Sequence, residues 1–455
     1  MPLTVVILAA GQGKRMNSDR PKVLQPLAGR ALLAHVLDTA RELAPDAINI
    51  VYGHGGEVVS EAFPDGDLSW TCQAEQLGTG HAVQQALPTI PDDHQVLVLY
   101  GDVPLITVKS LTSLLDQTDG NEVAVLSAIV ENPSGYGRIV RDSEGCVVEI
   151  VEQKDATAEQ NAITEINTGL MRLPAGKLRG WLDRIGNDNT QGEYYLTDIV
   201  GIATNDGAKV AAIPADDADQ TLGINDRAQL ATAERVLQRR YADAAMSAGA
   251  TLADPARFDQ RGTLKVGRDV FIDAGVVFEG DVALGDRVSI GPNCVISDTS
   301  LGDDCLIHPN SVMHGVIAGP KCEIGPFARL RPGAEFAEQV KIGNFVEVKA
   351  SEIGAGSKVN HLTYVGDTAV GSGVNVGAGT IVCNYDGVSK HRSSIGDGAF
   401  IGSGVMLVAP VEVGDGATIG AGSIVTKAAP PNELTLSRAK QVTIKGWKRP
   451  EKTAK

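Results

Sequence analysis

Aromatic side chains are scarce in this 455-residue chain: 3 Trp, 8 Tyr and 8 Phe, 4% in all, against 52 Gly. That imbalance points away from a core built on large rings and toward many tight turns and small packing positions. No apolar run approaches the ~20 residues of a membrane-spanning helix. The opening run Leu3 to Ala10 is too short and lacks the flank of a secretory signal. A cytoplasmic protein without membrane insertion is expected. The six cysteines, Cys72, Cys146, Cys294, Cys305, Cys322 and Cys383, contain no CxxC pair or other metal-binding spacing. A reducing compartment argues against disulfides, so they are expected to be small buried hydrophobes. Positive charge is also in deficit. A formal net charge of -16 excludes whole-surface attraction to nucleic acid or anionic lipid, leaving local basic sites for small phosphorylated ligands.

What is present divides into two patterns. The length suits roughly two to three domains. Over 1–225, β-rich runs such as Thr4 to Leu8, Ile48 to Tyr52 and Val96 to Tyr100 alternate with helical stretches such as Ala31 to Leu43, the pattern of an α/β sheet. Asn225-Asp226 opens a linking helix over 226–249, ended by Gly249. A period of six then governs 250–437. Ile272, Phe278, Leu284, Ile290 and Ile296 hold one register, and Ile395, Ile401, Leu407, Val413, Ile419 and Val425 hold another after a slip. Six-residue spacing of inward aliphatics fits a parallel β-helix of three short strands per coil, not a period of 3.6 or 2. Asn384 to Ser394 interrupts the repeat and is expected to be a functional surface loop. Residues 438–455 form a basic tail.

Chemistry-bearing motifs sit at the breaks in both patterns. After the first strand comes Leu8-Ala9-Ala10-Gly11-Gln-Gly13-Lys14-Arg15-Met16, then Pro21-Lys22. Such a glycine turn lets backbone N–H groups approach phosphate, though alone it also suits a purely structural turn. Further along lie Gln73-Ala-Glu-Gln-Leu-Gly78-Thr79-Gly80-His81, Tyr100-Gly101-Asp102, Gly135-Tyr-Gly137-Arg, Glu152-Gln-Lys-Asp and Glu165-Ile-Asn167-Thr-Gly. In the solenoid, Arg329-Leu-Arg331-Pro, Glu347-Val-Lys349, Asn360-His361-Leu-Thr-Tyr364-Val-Gly-Asp367, Asn375-Val-Gly-Ala378-Gly and Cys383-Asn384-Tyr385 replace aliphatic residues.

Together these motifs resemble the bifunctional N-acetylglucosamine-1-phosphate uridyltransferase and glucosamine-1-phosphate acetyltransferase family, over nearly the whole chain. The resemblance implies a Rossmann-like nucleotidyltransferase domain followed by a left-handed parallel β-helix that forms a homotrimer. It implies small-molecule substrates: UTP and N-acetylglucosamine-1-phosphate at one site, acetyl-CoA and glucosamine-1-phosphate at the other. Mg²⁺ would be held by Asp102 and Asn225. Arg15 and Lys22 would meet the triphosphate. Leu8, Ala9, Ala10, Gly11, Gln73, Gly78, Thr79, Tyr100 and Gly101 would complete the nucleotide site, with Gly137, Glu152 and Asn167 on the sugar. In the solenoid, His361 would be the base, and Arg331, Lys349, Tyr364 and Asn375 would bind the amino-sugar phosphate. Ala378, Asn384, Tyr385, Ser403, Ala421 and Arg438 would serve acetyl-CoA, Asn384 touching the sugar as well. Lys14 departs from the threonine usual in the family's glycine loop. Two rival readings weigh less. A monofunctional nucleotidylyltransferase would not need His361 or Asn384-Tyr385, and a non-catalytic assembly subunit should have lost Arg15, Lys22 or Asp102.

Overall fold

Strands that read as unbroken apolar runs belong to sheets covered on both faces, and Leu3–Leu8 is buried at all six positions. In the computed structural model, which describes residues 1–11, 13–53, 56–116 and 123–452, this strand is central to a mostly parallel sheet. It pairs with Ala47–Gly53 on one side and Gln95–Tyr100 on the other. Leu68–Gln73 lies beyond Ala47–Gly53. On the opposite flank Glu165–Pro174 runs antiparallel between Gln95–Tyr100 and Val123–Ile129, and Val210–Pro214 forms the edge. Val6, Leu8 and Val98 pack with Ala82, Leu178 and Ile199 on one face, and Val5, Ile7 and Leu97 with Val36, Leu37 and Leu111 on the other. The chain leaves Leu8 toward one side of the sheet and re-enters at Gln95 on the other. The ends Leu8 and Tyr100 therefore flank a topological switch point, where open α/β sheets form their ligand crevice.

The chain divides into two compact units, Met1–Leu237 and Gln238–Lys455, the division falling inside the helix Arg227–Ser247. Ala28 N donates to Glu234 Oε2 at 2.7 Å, tying the start of that helix into the first unit.

The second unit is a left-handed parallel β-helix. Its inward aliphatics stack coil upon coil as Ile272, Ile290, Ile307, Ile324, Ile342, Val359, Val376, Ile401 and Ile419. Every one is at most 4% exposed, a burial worth roughly 1.5–3 kcal/mol per side chain. This ladder explains the register slip: several coils take 17 residues instead of 18, moving the hexapeptide phase by one each time. Between Val376 and Ile401 the coil takes 25 residues and accommodates a small hairpin closed by a bridge between Tyr385 and Lys390.

One expectation is corrected. Cys294, Cys305 and Cys322 are buried, but Cys72 and Cys146 are exposed and Cys383 only half-buried. Cys72 lies on Leu68–Gln73 at the sheet edge, which is buried at only one of its six positions. Cys146 follows the turn at Asp142 to Gly145. Among the described residues no helix is long and apolar enough to cross a membrane. Residues 453–455 of the basic tail lie outside the described residues.

Candidate active sites

The switch point opens into a cleft of ≈ 400 Å³ lined by Leu8, Ala9, Ala10, Gly11, Lys22, Gln73, Gly78, Thr79, Tyr100, Asp102 and Asn225 among the residues expected from sequence. Gly101 lies behind it, its N–H on Leu8 O at 2.9 Å, which keeps the two strand ends together. The Asp102 carbonyl accepts from Ile224 N at 2.9 Å, a bond that brings Asn225 in from far along the chain. Both side chains then meet one cation: the Lys22 ammonium contacts Asp102 Oδ2 and donates to Asn225 Oδ1 at 3.1 Å. Lys22 is 9% exposed.

Gln73 is buried, and its amide nitrogen lies 3.0 Å from Gly78 O and 3.1 Å from His81 Nδ1. Among the described residues nothing donates to its carbonyl oxygen. Gly78 has φ 116, and a Cβ there would stand 2.6 Å from Tyr194 O. This close approach seats the 77–80 turn on the segment 193–196, through Tyr194 N to Leu77 O and Gly80 N to Tyr194 O, both 2.8 Å.

Gly137, Glu152 and Asn167 are mutual neighbours outside the cleft lining. Asn167 N donates to Gly137 O at 2.9 Å, and a Cβ on Gly137 would come 3.4 Å from Glu152 Oε1. Burial raises the Glu152 carboxyl above the ordinary range, opposed by a hydrogen bond from Thr197, with Asp198 and Asp155 adding to the rise. Burial likewise pushes the Tyr100 phenol up, and the nearby Glu152 and Asp102 charges add to it. Arg15 and Lys14 are exposed on the turn Lys14–Met16 and do not line the cleft. Gln76 and Glu193 do line it and were not singled out by sequence. Gln76 stands within the quoted run Gln73 to His81 and donates to Ala10 O at 2.5 Å; for Glu193 no sequence signal existed.

In the solenoid, strand register assembles the second group. Leu330, Val348 and Val365 stack in successive coils, so Arg331, Lys349 and Gly366 follow one another along one edge. Arg331 is paired with Glu347 at 2.9 Å and Lys349 with Asp367 at 3.5 Å. His361 pairs in register with Asn344, and its Nδ1 lies 2.8 Å from Asn344 Oδ1. A carbonyl oxygen can only accept, so the proton sits on Nδ1 and the Nε2 lone pair is left as a base. Asn344 carried no sequence signal.

Asn375 is half-buried on the outer side of the strand Asn375–Val376. Ala378, Ser403 and Ala421 each fall two residues after stacked Val376, Ile401 and Ile419, and so share one corner. Arg438 Nη1 donates to Ala421 O at 2.9 Å, ending the row. Asn384 is buried where the insertion leaves the coil. Tyr385 is exposed, its hydroxyl on Gly387 O at 2.6 Å.

The fold defines a two-part transferase: a sheet domain with a switch-point cleft, then a hexapeptide-repeat solenoid that carries Arg331, Lys349 and His361. Residues 5–152 match the MobA-like NTP transferase domain, and 264–298 and 392–427 match the bacterial transferase hexapeptide repeats. "Bifunctional protein GlmU" of Alkalilimnicola ehrlichii is 58% identical over 98% of this chain and 96% of its own length. Its namesake in Azoarcus sp. is 56% identical over 99% and 100%, and that in Idiomarina loihiensis 53% over 99% of each. A solved UDP-glucose pyrophosphorylase with bound UDP-glucose aligns at 17% identity and a TM-score of 0.43, covering 53% of this chain and all of that one. The chain belongs to the GlmU family. It is a bifunctional enzyme of UDP-N-acetylglucosamine synthesis, acetylating glucosamine-1-phosphate and transferring a uridylyl group to N-acetylglucosamine-1-phosphate.

Proposed function

We propose that the switch-point cleft performs uridylyl transfer and that the edge around His361 performs acetyl transfer. The observation that carries the second assignment is His361 held by Asn344 in the tautomer a base requires. As the substrate amine attacks the thioester carbonyl, His361 Nε2 takes its proton, the new C–N bond forms, and the C–S bond breaks to release the thiolate of CoA. Arg331 and Lys349 hold the phosphate, Tyr364 and Asn375 the sugar. The Ala378 N–H, flanked by Gly377 and Gly379, faces the developing oxyanion. Ser403, Ala421, Tyr385 and Arg438 line the path of the cofactor.

In the cleft, Lys22 and Arg15 draw the triphosphate, and the free Gln73 carbonyl oxygen accepts the N–H of the uracil imide. Glu152, Asn167 and the Gly137 backbone take the acetamido sugar. A carboxylate and an amide oxygen converging on one cation form a donor set that suits a hard divalent ion, which keeps water and phosphate as its other ligands. Asp102 and Asn225 would hold Mg²⁺, which supplies charge neutralisation as pyrophosphate leaves. Lys22 occupies the same oxygens and must yield them.

The units work as separate enzymes in a cytoplasmic homotrimer. Phe327, Phe345 and Leu362 stand exposed in successive coils, the two rings stacked at 5.3 Å, an apolar edge that favours association. Thiol release from acetyl-CoA with glucosamine-1-phosphate and pyrophosphate release from UTP with N-acetylglucosamine-1-phosphate, each measured on the full chain and on residues 1–237, test the assignment. The full chain should do both and the shorter one only the second. Thiol release by residues 1–237 would overturn it, and light scattering that finds a monomer would remove the trimer.

A further inference from the structure

Asn384 carries an amide whose two ends are chemically opposite, so its function depends on which end faces the substrate. Its Nδ2 donates to Asp367 Oδ2 at 2.5 Å and to Tyr364 Oη at 3.3 Å. A carboxylate accepts and never donates, so Asp367 admits only the amide nitrogen on its side. Both N–H groups of Asn384 are thereby used. Among the described residues nothing donates to its Oδ1, although the side chain is buried. An amide oxygen left without a protein donor in this way, and open to solvent, is an acceptor for whatever enters the site.

Asp367 holds two further groups. Its other contact is the Lys349 ammonium at 3.5 Å, and its backbone carbonyl accepts from Ser393 N at 3.1 Å. It therefore grips both ends of the insertion, Asn384 where the chain leaves the coil and Ser393 where it returns. Asp367 sits at a coil corner with φ 51, a left-handed conformation that aspartate tolerates better than most residues. Beside it, Gly366 leaves the space the arrangement needs: a Cβ there would lie 2.4 Å from Tyr364 Oη and 2.8 Å from Asn384 Nδ2. Lys390 at the end of the hairpin shares this neighbourhood, and the adjacent Lys349 ammonium lowers its amine below the ordinary lysine value. The carboxylate thus sits among cations that would otherwise repel one another.

We propose that Asp367 is the positioning residue of the acetyl-transfer site: it fixes the Asn384 amide with its oxygen toward the amino group of the sugar, and it tethers Lys349 for the phosphate. The oxygen then accepts an N–H of the amine and turns the nitrogen lone pair toward the thioester. This inference rests on the acetyl-transfer reading of the solenoid. Asp367 itself touches no substrate.

The test uses the full chain and compares Asp367→Asn, Asn384→Asp and the double variant carrying both, with thiol release as the readout. In Asp367→Asn two amides face one another, the Asn384 flip is no longer fixed, and kcat falls roughly ten- to a hundredfold, the cost of misplacing one buried hydrogen bond. Asn384→Asp sets two carboxylates against each other and is equally impaired. The double variant restores a donor at 367 and an acceptor at 384, so kcat recovers. KM for glucosamine-1-phosphate stays raised, because Lys349 has lost its tether. A residue needed only to seat the hairpin would not produce this split between kcat and KM. Uridylyl transfer and elution volume should match wild type throughout. Wild-type kcat in Asp367→Asn, or a double variant no faster than Asp367→Asn, overturns the proposal while leaving the acetyl-transfer reading intact. Absence of thiol release from the wild-type chain would sink both.

Discussion

The two candidate sites are assembled by opposite routes. In the sheet unit, Lys22, Asp102 and Asn225 come from distant parts of the chain and meet because two strand ends flank a switch point. In the solenoid, neighbours in space are one coil apart in sequence, as Asn344 and His361 are, or Arg331 and Lys349. Yet both sites contain an amide whose nitrogen is consumed by the protein, Gln73 in one and Asn384 in the other. Local regularity therefore does not replace preorganisation. A polar side chain on a repetitive scaffold still needs a second residue to decide which way it faces.

The sharpest way to break the comparison is His361→Ala. A positioned base contributes about 10²- to 10⁴-fold, so acetyl transfer should fall by that order while uridylyl transfer and the oligomer are unchanged. Near wild-type thiol release across the pH range would remove His361 as the base. Next in size, Asp102→Asn should lower uridylyl transfer by about ten- to a hundredfold, the range seen when a metal's coordination is weakened. Acetyl transfer should survive it, and chelator should reproduce the same division in wild-type protein. Equal loss of both activities would count against a dedicated cation role for Asp102.

Glu152 gives a smaller, pH-dependent effect. Burial raises its carboxyl, so on acidification it protonates before an ordinary carboxylate and becomes a weaker acceptor for the sugar. KM for N-acetylglucosamine-1-phosphate should rise on acidification, whereas Glu152→Gln should show a raised KM without that dependence. A pH profile unchanged by the substitution would dissociate Glu152 from sugar binding. Lys14→Thr is the smallest. With Lys14 exposed and away from the cleft lining, KM for UTP should change by about twofold or less, and the difference should vanish as salt screens it. A large change at high salt would mean that the side chain contacts the triphosphate directly.

Much of this was legible in sequence because it is periodic or local. Strands buried on both faces must be apolar throughout, which marked Leu3–Leu8 and Gln95–Tyr100 within a residue or two. The hexapeptide period announced the solenoid, and its slip recorded coils of 17 residues. The glycine loop, Lys22, Asp102 and His361 stood in compact motifs. Asn344 and Glu193 did not, since an asparagine or glutamate at a surface corner looks like any solvated residue until its partner is known. Cys72 and Cys146 are exposed against expectation because a small apolar residue reads the same at a sheet edge or turn as in a core.

By itself, then, the sequence determined the two architectures, the order in which they follow, and the residue types able to do each reaction, because spacing encodes which face of a strand or coil a side chain takes. Only the tertiary structure decided the direction of each polar group. The tautomer of His361, the free oxygens of Gln73 and Asn384, and the shared grip of Asp102 and Asn225 on one ammonium all depend on partners brought within about 3 Å by folding. Hydrogen-bond direction is a property of such pairs.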